Sequence, residues 1–327
     1  MVKALVTGGT GFLGSHIARE LARRGHAVRI LRRATSRLDA VADLDVEHAV
    51  GDVLDPPSLR AAMEGVEWVF HTAAVADYWR NDPERIYRVN VDGTRNVLEA
   101  AERAGVQRVI FTSSAASIGY RTGLRPMDET VRFNWDPRLT PYGHSKFLAE
   151  VEVYRAIRRG LDCVILNPAV ILGPDDLNQI SSSVVVEMAR GNVPPTAPPG
   201  GVTIIDVRDV AAAHVAAAER GRTGERYALG AVDLTHKAWM RLTARAVGRP
   251  THVITLPAVV VRIMALGADA LRRLGVPLPI EGNQLRLSTR LMFYNCAKSW
   301  RELGEPRVPV QQSIQDSFTW YRSRGDV

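Results

Sequence analysis

Short apolar runs alternate with longer amphipathic segments through the first half of the chain. Lys3 to Thr7, Ala27 to Leu31, Val46 to Val50, Trp68 to Thr72, Arg108 to Thr112 and Cys163 to Leu166 read as strands buried on both faces. Between them, Phe12 to Arg24, Asn90 to Ala104 and Tyr142 to Arg159 place apolar residues at helical spacing. Strands alternating with helices predict βαβ units, and successive units give an α/β chain with a doubly wound parallel sheet covered on both faces. After Pro174 the pattern loosens, and Val193 to Gly201 is a Pro-rich loop. The division expected is a core over 1–174, with returning segments at about 202–230, and a smaller lobe from 175–201 and 231–327. No internal repeat or low-complexity tract interrupts it.

Composition narrows the partners. With 46% apolar content, 327 residues can fill a sizeable core. The net charge of +7 comes almost wholly from arginine, since lysine occurs only at 3, 146, 237 and 298. These charges are dispersed, with no basic block and no aromatic-interleaved basic motif, so nucleic acid is not expected. An anionic cofactor or substrate explains the charge better. Cys163 and Cys296 belong to no Cys/His cluster; neither a metal site nor a disulfide framework is indicated. The start of the chain lacks the features of a secretory leader, making the cytoplasm the expected compartment. Arg262, Asp269, Arg272 and Arg273 break the apolar stretch from Leu256 to Pro279, so no transmembrane segment is expected. An amphipathic helix packed on the protein is favoured there over one lying on a membrane surface.

The first strand runs straight into a turn with glycines at 8, 11 and 14 and then into a helix. Such a turn lets backbone approach a pyrophosphate at a helix N-terminus, making Gly8, Thr10, Gly11, Phe12, Leu13 and Gly14 a dinucleotide cradle on a Rossmann-type fold. An NAD enzyme expects an acidic residue at the end of the second strand; here stand Arg32 and Arg33, with Arg37 in the loop beyond. Arginine suits a 2′-phosphate, which favours NADP (NADPH) over NAD; the alternative is a solvated surface pair. Asp52 and Val53, past the third strand, are placed to meet adenine, unless Asp52 only caps the next helix.

Reduction of a carbonyl needs a proton donor beside the developing alkoxide. Tyr142 and Lys146, four apart, share a helix face, and a lysine beside a phenol lowers a pKa that is otherwise about 10. Thr112, Ser113 and Ser114 end a core strand and offer hydroxyls to the substrate.

Phosphate loop, Thr-Ser-Ser strand end and Tyr-x-x-x-Lys, in that order, resemble the extended and atypical short-chain dehydrogenase/reductases. Val69 to Ala74, Asn90 to Asn96, Asn167-Pro168-Ala169 with Gly173-Pro174, and Asp206 to Val210 extend the likeness. It is strongest to dihydroflavonol-reductase-like, hydroxysteroid-dehydrogenase-like and hopanoid-associated sugar epimerase members. The resemblance implies Ser114 as carbonyl-orienting hydroxyl with Ser113 as its competitor, Tyr142 as general acid/base, and Lys146 as ribose ligand and tuner of Tyr142. It also implies that Thr72, Ala73, Ala74, Thr112, Pro168 and Val170 line the cofactor. Asn90 is either a strand-bridging amide or part of a proton relay. Asp209 is expected to cap the helix that follows it, and His71 and His144 to pack.

The function expected is NADP-dependent reduction of a carbonyl, or oxidation of the matching secondary alcohol, in a small-molecule substrate. Segments 77–87, 118–141, 175–206 and 279–294, with Tyr78, Trp79, Tyr120, Trp135 and Phe293, should shape a moderately apolar pocket. Two alternatives stay open: a nucleotide-sugar epimerase or dehydratase with retained NAD, for which Arg290 would grip a diphosphate, and a non-catalytic NADP-binding regulator. By analogy, the helices at 90–104 and 142–159 would make a homodimer.

Overall fold

The computed structural model describes residues 1–76, 82–123, 125–276 and 281–327, so Tyr78 and Trp79 lie outside the described residues. Strands β1 (Lys3–Thr7), β2 (Ala27–Arg32), β3 (Glu47–Val50), β4 (Trp68–His71), β5 (Arg108–Thr112) and β6 (Cys163–Pro168) lie in the order β3-β2-β1-β4-β5-β6. Every pair among them is parallel. This is the doubly wound Rossmann order, with its switch point between β1 and β4.

Helices cover both faces because side chains alternate along each strand. On one side α1 (Phe12–Arg23) buries Ile17 and Leu21 over Ala4, Val6 and Ile30. On the other, α2 (Pro56–Ala62), α3 (Pro83–Tyr87), α4 (Gly93–Ala104) and α5 (Pro141–Arg159) close over Leu5, Val69, Val109 and Phe111. Thr140 caps α5, accepting from the Gly143 N–H at 3.2 Å, and Pro141 opens it.

Past β6 the chain turns into β7 (Val170–Leu172), α6 (Ser183–Arg190), β8 (Thr196–Ala197) and β9 (Gly201–Asp206). It returns through α7 (Val207–Arg220), which packs beside α1, and β10 (Arg226–Leu229), which pairs with β6 as the seventh parallel strand described. Next come β11 (Val232–Thr235), α8 (His236–Ala246), β12 (Ile254–Thr255), α9 (Ala258–Arg273), α10 (Gly282–Leu287), β13 (Leu291–Met292), α11 (Ala297–Leu303) and α12 (Val310–Ser323). Strand β9 carries a second sheet, with β11 on one side and β7 and β13 on the other. Leu172, Val185, Ile204, Val310 and Ile314 are buried together against it.

Three expectations need correction. The helix predicted from Asn90 begins at Gly93, after a π-helical turn over Arg88–Asp92. The extra residue lets the Asn90 amide reach inward instead of continuing the regular helix. Asp206, not Asp209, caps α7, because it carries the extended backbone just before the helix and its carboxylate accepts from the Arg208 N–H at 2.8 Å. Asp209 takes the N–H groups of Arg307 and Val308 at 2.9 and 3.0 Å. Finally, the stretch expected as a Pro-rich loop, Val193 to Gly201, contains the short strand β8, because Thr196 and Ala197 pair in parallel with Ile254 and Thr255 of β12. Among the described residues, no helix is long and apolar enough to cross a membrane.

Candidate active site

The residues singled out from the sequence come together along one edge, at the C-terminal ends of neighbouring strands. The turn Gly8 to Gly14 follows β1, Thr72 to Ala74 follow β4, Ser113 and Ser114 follow β5, and Pro168 ends β6. A Cβ on Gly14 would sit 2.2 Å from the Gly8 carbonyl oxygen, and one on Gly8 would stand 2.9 Å from Ala73 Cα. These glycines are therefore required for the turn to close against α1 and the β4 end. A Cβ on Gly11 meets only the Gly8 carbonyl oxygen, at 3.2 Å. No side chain caps α1 and no acidic residue sits in its first turn, so its leading N–H groups suit the pyrophosphate of a dinucleotide.

Beneath the turn runs a buried polar chain. His71 Nδ1 meets Thr7 Oγ1 at 2.7 Å, and His71 Nε2 meets Thr94 Oγ1 at 3.0 Å, which donates to the Asn90 carbonyl at 2.6 Å. Burial pushes His71 down to about 3, keeping it neutral. The Asn90 amide accepts from the Val75 N–H at 2.7 Å and donates to the Val75 carbonyl at 3.2 Å and to Ser145 Oγ at 2.9 Å. Ser145 in turn donates to the Tyr142 carbonyl at 2.7 Å. Asn90 thus bridges the β4 end to the start of α5.

At the β5 end, Tyr142 is half-buried and Lys146 fully buried on the same face of α5. The Lys146 ammonium lies 4.6 Å from the centroid of the Phe111 ring. Burial brings its pKa down to about 7, while the Glu150 charge pulls the other way. Glu150, one helical turn further on, is the hub of the region. Ser113 Oγ, Ser117 Oγ at 2.6 Å and Asn167 Nδ2 at 2.7 Å all donate to its Oε1. Arg226 of β10 stands 3.2 Å from its other oxygen. Ser113 is consumed by this network. Ser114 is half-buried; its Oγ accepts from the Ala116 N–H at 3.1 Å, which leaves its own proton for another acceptor.

At the β2 end, Arg32 Nε donates to His48 Nδ1 at 3.1 Å, and Arg33 is exposed with its N–H held by Ser36 Oγ at 3.0 Å. Arg37, expected to assist, is paired with Asp39 at 3.2 Å. Asp52 does not cap α2, which starts after Asp55; its carboxylate accepts from the Leu54 N–H at 2.9 Å in a local turn. Val53 is buried against Gly93. Thr112 Oγ1 points to the α7 side, where His214 Nε2 meets it at 2.9 Å.

A family model for the NAD dependent epimerase/dehydratase family matches residues 4–230. The chain belongs to that family. Cinnamoyl-CoA reductase 1 of Oryza sativa is 36% identical over 68% of this chain and 69% of its own length. Sterol demethylase protein B of Methylococcus capsulatus is 33% identical, with 99% of each chain covered. The crystal structure of gox2253 superposes with a TM-score of 0.88 at 36% identity, over 100% of both chains. As a family member, the chain is an NAD(P)-dependent enzyme of the oxidoreductase/epimerase type.

Among the segments expected from the sequence to shape the pocket, the Arg290 guanidinium lies over the rings of Tyr120 and Trp135, 4.6 and 5.4 Å from their centroids. Tyr294 donates to the Ala115 carbonyl at 3.1 Å, tying the lobe to the turn that carries Ser114. His144 Nδ1 meets the Tyr87 hydroxyl at 2.9 Å and its ring packs among Phe133 and Phe147. The sequence pattern assigns no role to Glu150, Ser117, Arg226 or His48. The single linear signal is that Glu150 follows Lys146 by one turn.

Proposed function

We propose that the chain is an NADP-dependent carbonyl reductase, or the corresponding secondary-alcohol dehydrogenase, acting on a moderately apolar substrate. The supporting observation is the buried Lys146 on the Tyr142 face of α5, next to a strand-end turn in which Ser113 is occupied and Ser114 keeps a donor. When bound, the nicotinamide supplies or accepts the hydride. Ser114 donates to the substrate oxygen, and Tyr142 gives its phenolic proton to the alkoxide as it forms. Lys146, costly to keep charged where it is buried, is stabilised by the phenolate that results and holds the ribose beside it. In the other direction the same groups run backwards, with Tyr142 as base.

Arg32 and Arg33, where an NAD enzyme would place an acid, support NADP. The reductase and sterol names of two relatives favour carbonyl chemistry on apolar substrates, as do Tyr120 and Trp135. Two buried free thiols, Cys163 and Cys296, suit the cytoplasm. The family likeness further supports a homodimer through α4 and α5. The competing reading, a nucleotide-sugar epimerase with retained NAD, draws on Arg290, whose charge stands over two aromatic rings. A non-catalytic regulator has no use for a retained Tyr142/Lys146 pair.

The deciding experiment compares NADPH and NADH binding by fluorescence, then follows consumption of the preferred one with a panel of aldehydes and ketones. NADPH preference with turnover that collapses in Tyr142→Phe is the expected result. Tightly held NAD that survives purification, with no net consumption by any carbonyl, would overturn the reductase in favour of sugar chemistry.

A further inference from the structure

Helix α9 is amphipathic in the reverse sense. A helix on a globular surface ordinarily turns its apolar stripe inward. Here the inward side is narrow and made of Val261, Ala265 and Ala268. The opposite side repeats Val259, Ile263, Leu266, Ala270 and Leu274 at spacings of three and four, and all five are exposed, Ile263 by 63% and Leu274 by 79%. Val260, Met264 and Leu271 widen the stripe on one flank and are also exposed. Exposed Arg262 and Arg273 line the other flank. The acidic groups nearby are already matched: Asp269 pairs with Arg286, and Glu281 with Arg272 at 3.0 Å.

We propose that this face of α9 docks on an anionic phospholipid bilayer, the helix lying in the interface plane with its apolar stripe among the acyl-chain boundary. An outward apolar stripe bordered by arginines that have no acidic partner among the described residues, on a chain of net charge +7, has the make-up of an interfacial helix. A second copy is a poorer occupant. Sixteen residues of helix are about 24 Å long and roughly 10 Å wide. Such a strip falls well short of the roughly 800 Å² per partner of a stable protein interface. An antiparallel pairing about a two-fold axis perpendicular to the helix would also set Arg262 against Arg273 of the second copy, like charge against like. Docking holds the lobe against lipid, because α9 is tied to α10 by Asp269 and Arg286, and Arg290 over Tyr120 and Trp135 follows directly after. The inference does not depend on the reaction proposed above.

Flotation of the full-length protein tests it, using vesicles of phosphatidylcholine alone and vesicles containing phosphatidylglycerol. The protein should float with the anionic vesicles at low salt. Binding should fall roughly tenfold or more with phosphatidylcholine alone, or in the double variant Ile263→Ser/Leu266→Ser. NADPH binding measured on the same double variant, unchanged, shows that the fold is intact. Arg262→Gln/Arg273→Gln should weaken binding and flatten its salt dependence. Absence of flotation, or flotation indifferent to the Ile263/Leu266 change, overturns the proposal. So does a dimer in light scattering that this change splits without any vesicle binding, since the stripe would then belong to a second copy.

Discussion

The two ends of the row of C-terminal strand ends, β5 and β2, are held in different ways. At the β5 end, Ser113, Ser117, Asn167 and Arg226 converge on one buried carboxylate, Glu150, and Asn90 and Ser145 brace the start of α5 from behind. At the β2 end, Arg32 is held by His48 at 3.1 Å and by the neighbouring Arg33 carbonyl at 3.4 Å, and Arg33 stands in solvent. The first arrangement is wired into the core, so changing it costs stability. The second is a surface feature that can be altered while the fold stays as it is. On the proposed function, the proton-transfer groups would be fixed in the scaffold and the dinucleotide preference left adjustable.

Tyr142→Phe probes the rigid end most severely. It should lower kcat about 10³-fold with the unfolding midpoint in urea nearly unchanged, measured on the best carbonyl substrate. Glu150→Ala should cost about 3–5 kcal/mol in chemical denaturation, because it strands Arg226 and three donors in a buried space. A loss below 1 kcal/mol would show that the hub is dispensable and erase the contrast. At the other end, Arg32→Ser/Arg33→Ser should raise KM for NADPH roughly 10- to 100-fold, leave NADH nearly unaffected and move stability by no more than about 0.5 kcal/mol. Equal losses for both dinucleotides would mean that these arginines do not read the 2′-phosphate.

The smallest effect concerns pH. On the proposed mechanism Lys146, brought to about 7 by burial, would support the Tyr142 phenolate only while charged, so kcat/KM should fall as pH rises through that value. The Glu150 carboxylate raises the Lys146 pKa; Glu150→Gln keeps the shape without the charge and should shift this limb to lower pH. A shift to higher pH, or none, would separate Glu150 from Lys146.

Local features were the legible ones. The glycine turn, the Tyr142/Lys146 spacing and the alternation of strands and helices are each written in a few neighbouring residues, and the strand order β3-β2-β1-β4-β5-β6 completes them. Glu150 was not legible because its partners, Ser113 and Ser117 after β5, Asn167 of β6 and Arg226 of β10, lie on three separate segments that only the folded sheet brings together. The π turn at Arg88–Asp92 was hidden for a similar reason: it depends on Val75 and Ser145 capturing the Asn90 amide. Capping of α7 turned on whether the helix starts after Asp206 or after Asp209, a three-residue boundary that the apolar pattern does not resolve. The outward stripe of α9 has the same helical period as an inward one, and periodicity alone does not tell which side faces the core.

The pairing of β10 with β6 has a consequence during synthesis. The sheet up to β6 can assemble as soon as Pro168 has left the ribosome, yet the strand that closes its edge begins only at Arg226. At ordinary elongation speeds the intervening stretch of about 60 residues takes roughly 3–12 s to emerge. Throughout that interval Cys163, Val164, Ile165 and Leu166 present an unpaired, fully apolar ribbon. Such an edge invites association with another nascent chain. Yield in a cell should therefore respond to translation speed between codons 169 and 226, even where the finished protein is equally stable.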